Sequence, residues 1–422
     1  MRSSSARLRH RRIAVLLAIL LLAAGCTSSP GTKASGELVW AIGGIDAAKD
    51  GLAEGVAQLW NERHPDGPTV RVVALPDSAD EQRQLMTIEL NAGLEEFDIL
   101  SLDVVWTGEF AESGWIVDLQ EMRRAVEKVT LAAPLLSATW KGTLWAAPFT
   151  SGAGLLYYRK DLVPSPPTTW EELVKVGTAA VTTRPEMVPF VGQGAQYEGL
   201  VVNFLEYFWS AGGGGVLDSA DRKVGFEEAP ARQAIEFMQE AFAGGFYPPA
   251  FSTMTEGEAL GLFESGNAVF MRNWPYAYEK LPDKNKVGIA PLPTFAGHDS
   301  VSALGGQNLA VSRFSDNVDG AKEFVRFAST EPQVQRLIGS KASAPTMASV
   351  YDDLAGNTLM KLLSEVLPHA KPRPPTPNWA AISDEMQQQV FPVYTAKNAE
   401  PARIDRAIRT MRAFLERSLR ER

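Results

Sequence analysis

Asp103 and Trp106, in the stretch Asp98–Trp115, are the residues of this 422-residue chain whose types and placement first suggest chemistry. A carboxylate accepts two hydroxyl hydrogen bonds, and an indole offers a flat apolar face with one donor, a combination that suits a sugar. A structural use is equally open, because Asp is a good helix N-cap and Trp106 can be core. Around them, Asp98-Ile99-Leu100 opens an apolar strand, and the pattern then changes to helical period with Val104, Val105, Phe110 and Trp115 on one face. Strand, turn and helix in that order place Asp103 and Trp106 outside the carboxyl end of a strand, where open α/β sheets bind ligands. All ten tryptophans lie after residue 25, and Trp106, Trp145, Trp274 and Trp379 fall at predicted strand ends or turns beside polar residues.

Other catalytic patterns are missing. The four histidines, His10, His64, His298 and His369, form no metal-ligating spacing, and the single cysteine excludes a thiolate metal set. No nucleophile elbow, dinucleotide fingerprint or phosphate loop is present, and Gly212–Gly215 lacks a following Lys-Ser/Thr. No metal or cofactor is expected. Acidic pairs such as Glu95/Glu96 and Glu256/Glu258 read as solvated helix faces, with a glycoside hydrolase as the competing class.

The elements that must position these residues begin after an N-terminal address. Arg2, Arg7, Arg9, Arg11 and Arg12 precede the apolar run Ile13–Ala24, too short to span a membrane and flanked like a secretory signal. Cys26 follows Ala23-Ala24-Gly25 and resembles the lipobox cysteine that carries diacylglycerol, which predicts an extracytoplasmic protein anchored to the cell membrane. Removing residues 1–25 takes away five arginines and no acids, moving the formal charge from −9 to −14. An acidic chain is a poor partner for nucleic acid. Residues 26–36 read as a flexible tether.

From Glu37 the pattern alternates. Strands at Glu37–Trp40, Val70–Leu75 and Phe97–Leu102 enclose helices, one after Asp46 and one over Ser78–Asn91, which reads as βαβ units on a parallel sheet. Leu144–Phe149 and Leu155–Tyr158 are interrupted by Ser151-Gly152-Ala153-Gly154, read as a crossing between lobes. A second α/β region then delivers the strand Asn267–Met271 to Arg272-Asn273-Trp274, and Val287–Ala290 and Leu304–Ser312 read as a return to the first lobe. The expected lobes are 37–148 with 284–330, and 149–283 with 331–422.

Several stretches resemble the extracytoplasmic solute-binding proteins of bacterial ABC sugar importers. They are Leu59-Trp60-Asn61-Glu62-Arg63-His64-Pro65, Pro166-Pro167-Thr168-Thr169-Trp170-Glu171-Glu172-Leu173, Phe263-Glu264-Ser265-Gly266-Asn267-Ala268, and Gly305-Gly306 before Asn308-Leu309-Ala310-Val311. Glu81-Gln82-Arg83, Leu102–Thr107, Glu109–Glu112 and Asn273-Trp274-Pro275 are similar to mycobacterial trehalose-binding lipoproteins of that family. The resemblance implies an α/β two-lobe periplasmic-binding-protein fold, each lobe a doubly wound sheet. It also implies a monomer that closes on a disaccharide and delivers it to permease subunits with a cytoplasmic ATPase. Carried over onto this sequence, the ligand contacts would be Asp103, Glu256, Trp274, Gly306 and Arg373, with Glu81 and Asn308; the reading of the residues themselves adds Trp106. Those relatives have an asparagine where this chain has Gly152. A sugar-sensing lipoprotein without a transport role is a further alternative.

Overall fold

A computed structural model describes residues 36–47, 51–218 and 223–420; the signal segment and Cys26 lie outside the described residues. Two main sheets carry the architecture. Their strands are β1 (Glu37–Gly43), β2 (Thr69–Leu75), β3 (Ile99–Asp103), β4 (Ala147–Ala153), β5 (Leu155–Arg159), β6 (Val188–Val191), β7 (Ala268–Asn273), β8 (Val287–Ala290), β9 (Leu304–Val311) and β10 (Ala344–Pro345). The six-stranded sheet has the order β10-β4-β9-β3-β1-β2, and the four-stranded sheet β8-β5-β7-β6.

Both sheets are mixed, not uniformly parallel. β1 runs parallel to β3, and β6 to β7, as the βαβ pattern predicts. But β9 lies antiparallel between β3 and β4, and β5 pairs antiparallel with both β7 and β8. The reason is topological. β9 comes back from the four-stranded sheet and enters its slot from the opposite direction, which local hydrophobic period does not encode.

The helices obey the patterns that suggest them. They include α1 (Leu52–Arg63), α2 (Ala79–Ala92), α3 (Thr107–Glu112), α4 (Trp170–Val181), α5 (Glu198–Ser210), α6 (Glu228–Ala243), α7 (Glu256–Glu264), α8 (Val318–Thr330), α9 (Pro332–Ser340), α10 (Trp379–Tyr394) and α11 (Pro401–Arg420). In α1, Leu52, Val56 and Trp60 recur at helical spacing and are buried. α5 is buried on every face, as an apolar helix between layers must be. Trp40 anchors the first core, its indole donating to Ser101 Oγ at 2.8 Å and its edge meeting Phe149 and Phe324.

Three expected boundaries move. β4 continues through Ala153 in the six-stranded sheet, so the chain crosses at Gly154 and not at residue 149. Val287–Ala290 pairs with β5 and belongs to the four-stranded sheet rather than the first. α8 and α9 pack on β9, β4, β10 and α1 of the first sheet, and the short helix Ala348–Asp353 packs on α9 and β10, while α10 and α11 pack on α5 and α6 of the second, so the division falls after residue 353, not at 331. Ambiguous apolar strands cannot declare which sheet they will join.

The crossing segments are laced together. Ser302 Oγ donates to the Gly154 carbonyl at 2.7 Å, Lys371 N–H to Ser302 O at 2.9 Å, and Leu304 N–H to Lys371 O at 2.8 Å. Directly beneath lies a buried ion pair. Arg272 at the end of β7 donates from Nε and Nη2 to both oxygens of Glu206 on α5, at 2.9 and 2.6 Å, with both side chains about 2% exposed. Glu206 also accepts from the Ala303 N–H at 3.1 Å. A Cβ on Gly154 would stand 2.3 Å from Glu206 Oε1, so only glycine lets the crossing pass over this pair.

Glu206→Gln is expected to cost about 3–5 kcal/mol in chemical denaturation, because it strands a buried guanidinium. The Glu206→Leu/Arg272→Met double variant should recover most of that loss.

Candidate functional site

The cavity between the ends of the two sheets has a volume of about 360 Å³. Each wall is supplied by a strand end. From the first sheet, β3 brings Asp103, β4 brings Thr150, Ser151 and Gly152, and β9 brings Gly305, Gly306 and Gln307; from the second, β7 leads into Trp274, Pro275 and Tyr276. Such convergence of strand ends is where α/β proteins bind ligands.

The N-cap of α3 is Trp106 and not Asp103, which ends β3 at the edge of the cavity. Its Oδ1 accepts the Val105 N–H at 3.1 Å, closing the turn after β3, and also the Arg373 Nη2 at 2.9 Å. Arg373 is 4% exposed, and its Nη1 donates at 2.5 Å to Glu198 Oε1 at the start of α5. Burial opposes the guanidinium charge, and Asp103 and Glu198 outweigh it, so Arg373 stays protonated. Glu198 is fixed in turn by Trp379 Nε1 at 3.0 Å and by the Ser383 hydroxyl. Arg373 thus ties the end of the first sheet to a helix of the second.

Opposite stands Trp274. The Arg272 guanidinium sits 4.1 Å from its ring centroid, and its Nε1 donates to Glu256 Oε1 at 3.3 Å. Glu256 opens α7, where Thr255 and Glu258 form a capping box, and its Oε2 accepts the Tyr197 hydroxyl at 2.6 Å. Asn273 Nδ2 donates to the Glu256 carbonyl at 3.1 Å, fastening that helix to β7. Gly305 makes the approach of Trp274 possible, since a Cβ there would lie 2.7 Å from the ring. Gly306 has φ +123°, a conformation open to glycine.

Of the expected contacts, Asp103, Trp106, Glu256, Trp274, Gly306 and Arg373 border this one cavity. Trp106 is 5% exposed and stacks on Phe110, so most of its ring serves the core. Two expected contacts lie elsewhere. Glu81 is exposed on α2 outside the cavity lining, and Asn308 is fully buried, donating to Thr107 Oγ1 at 3.2 Å and Ser137 Oγ at 3.0 Å. Asn308 follows a register shift in β9, which turns its side chain to the packed side. Trp379 supports Glu198 and does not border the cavity, nor does Trp145.

The sequence reading overlooked Asp46, Asp77, Gln82, Tyr197, Glu198, Tyr276 and Gln307, all of which border the cavity. Asp46 follows Gly43-Gly44 at the end of β1, and the strand-end logic that selected Asp103 applies to it equally. Nothing local marks Glu198. The lining holds six carboxylates against the single guanidinium of Arg373. Ser151 Oγ, Tyr276 OH, Gln307 Oε1 and Arg373 Nε are buried without hydrogen-bond partners, an unusual concentration at one place. Among the described residues no group of His, Cys, Asp and Glu side chains could hold a metal ion.

Burial pushes the Asp46 carboxyl up to about 6, with Lys280 and a hydrogen bond from Gln307 partly opposing it. A carboxyl raised on folding favours the native state at low pH, and that contribution is lost as pH rises through about 6. Asp46→Asn should therefore stabilise the fold by up to about 2–3 kcal/mol above pH 7 and by almost nothing below pH ~4, checked by denaturation midpoints across that range.

Comparisons with known proteins agree with this geometry. The family described as bacterial extracellular solute-binding protein matches residues 46–335. A probable ABC transporter-binding protein of Deinococcus radiodurans is 33% identical over 377 residues, covering 84% of this chain and 87% of that protein. The maltose-bound MalE3 of T. maritima superposes with a TM-score of 0.82 at 32% identity, covering 90% of this chain and 98% of that one. The maltotriose-bound protein of Thermus thermophilus shares the fold, with a TM-score of 0.76 at 20% identity over 90% of this chain and 99% of its own. The chain belongs to the bacterial extracellular solute-binding protein family, whose members are binding proteins and not enzymes.

Proposed function

We propose that this protein is the sugar-binding component of an ABC importer, capturing a disaccharide, trehalose or a related α-glucoside, and delivering it to membrane permease subunits. The observation that carries the reading is Trp274 at the cavity wall, with the Glu256 carboxylate at its indole edge and Arg373 bound to Asp103 across from it. A pyranose has an apolar C–H face for an aromatic ring and hydroxyls for carboxylate and guanidinium groups. The cavity volume of about 360 Å³ lies within the ~300–1,000 Å³ range of small-molecule sites. The sequence similarity to a probable ABC transporter-binding protein and the structural similarity to a maltose-bound protein support the class.

Capture proceeds by closure. A ligand touching residues of both sheets binds the closed arrangement better and shifts the population towards it. Gly154, Ser302–Leu304 and Lys371 are the segments about which the sheets would turn, and Arg373, joining Asp103 to Glu198, would be made and broken in the process. The lipid anchor at Cys26 would hold the protein beside its permease by acyl chains.

The test is thermal unfolding against trehalose, maltose, sucrose, maltodextrins and glucose. A ligand at ~100 times its dissociation constant stabilises the native state by about 2.7 kcal/mol, and the sugar should be recovered chemically intact. Trp274→Ala should weaken binding by at least about tenfold, some 1.4 kcal/mol, without abolishing the fold. A panel with no stabilising member sinks the sugar assignment, and a consumed sugar restores the hydrolase alternative. In cells of the source organism, Cys26→Ser should release the protein from the membrane fraction; unchanged membrane retention would count against the anchor.

A further inference from the structure

Most of the glycines bordering the cavity are demanded by the fold. A Cβ on Gly199 would stand 2.2 Å from the Tyr197 hydroxyl, one on Gly305 would meet Trp274, and Gly306 holds a positive φ. Two are demanded by nothing. At Gly152 on β4 the nearest atom to a Cβ would be Pro275 Cδ at 3.7 Å, an ordinary contact, and at Gly257 on α7 there is no atom within 4 Å. Neither has a positive φ. Glycine inside a strand or helix lowers stability relative to alanine, so both positions forgo stability that the backbone would accept.

Both bare positions border the cavity, and each adjoins a residue linked to Trp274. Gly152 faces Pro275, the residue after Trp274, while Gly257 follows Glu256, whose carboxylate holds the Trp274 indole N–H. One comes from the six-stranded sheet and the other from the first turn of α7. Beside Gly152, the Ser151 hydroxyl is 5% exposed at the residue level and unpartnered. A bare stretch of strand next to an unsatisfied donor is what close approach of a ligand requires.

We propose that Gly152 and Gly257 are specificity-determining positions, leaving backbone bare at two places on the cavity wall so that a ligand ring can lie against the main chain there. This rests on the sugar reading of the cavity. A side chain at either position projects into the cavity and not into packed protein, so it changes which ligand fits while the fold tolerates it.

The experiment measures dissociation constants for maltose and trehalose, with unfolding midpoints, for the full chain and for Gly152→Ala, Gly152→Val, Gly257→Ala and Gly261→Ala. Gly261 lies one turn along α7, also with no atom within 4 Å of a Cβ, and it does not border the cavity. The cavity variants should keep or raise the midpoint and weaken binding of whichever sugar the unmodified chain takes by at least about tenfold, with valine worse than alanine at position 152. Gly261→Ala should raise the midpoint similarly and leave the constant within about twofold. Constants unchanged in all the cavity variants overturn the inference while the sugar reading stands, and so does a cavity variant that fails to fold. If the unmodified chain binds neither sugar, the sugar reading fails first and this inference falls with it.

Discussion

The Arg272–Glu206 ion pair holds together the segments that carry the cavity wall. Its guanidinium is held by both Glu206 oxygens and by Gln193 Oε1, and its face lies against Trp274. Glu206 in turn accepts the Ala303 N–H where the chain returns to the first sheet, and Gly154 passes over both. One charge pair thus fixes the end of β7, the orientation of the aromatic wall and two of the crossings between sheets. Pairs this deep in a protein add little net stability, because desolvation offsets their attraction. What this one supplies is position, since its hydrogen bonds join α5, the end of β7 and the returning segment at Ala303.

A second charged group works differently. Arg373 is equally buried, but one of its partners, Asp103, has a side chain 23% exposed and borders the cavity. The Arg272 pair sits within the layers of one sheet. The Arg373 pair joins the two. Of the two buried guanidiniums, one thus holds a single layer together and the other spans the two sheets beside the cavity.

The cavity between them carries buried polar atoms without protein partners and excess negative charge, both unfavourable to folding. Four partnerless buried polar atoms border it, and six carboxylates face a single guanidinium. Strain and unmet hydrogen bonds of this kind gather at ligand sites, where the ligand completes them. The supporting shell is rigid by comparison, since the capping box under Glu256, the Asn273 tie and the Trp379 and Ser383 bonds to Glu198 hold each functional group from behind.

Local chemistry was legible in the residues alone. Apolar period placed β1, β2, β3 and the helices between them, the stretch Ser151–Gly154 contained the crossing although the expected lobe boundary at residue 149 fell short of it, and strand-end logic pointed to Asp103 and Trp274. Arg373, Glu256 and Gly306 came from resemblance, because a proline-flanked arginine, a helix-start glutamate and a glycine have ordinary structural uses. Sheet membership emerged on folding, since β8 and β9 are apolar segments of similar character that pair with partners far apart in the chain. Folding also turns Asn308 into the packing and Asp46, Tyr276 and Glu198 towards the cavity. The physical reason is that a side chain's direction depends on register and on the crossing path of the chain. Neither is written in the spacing of residues within one element.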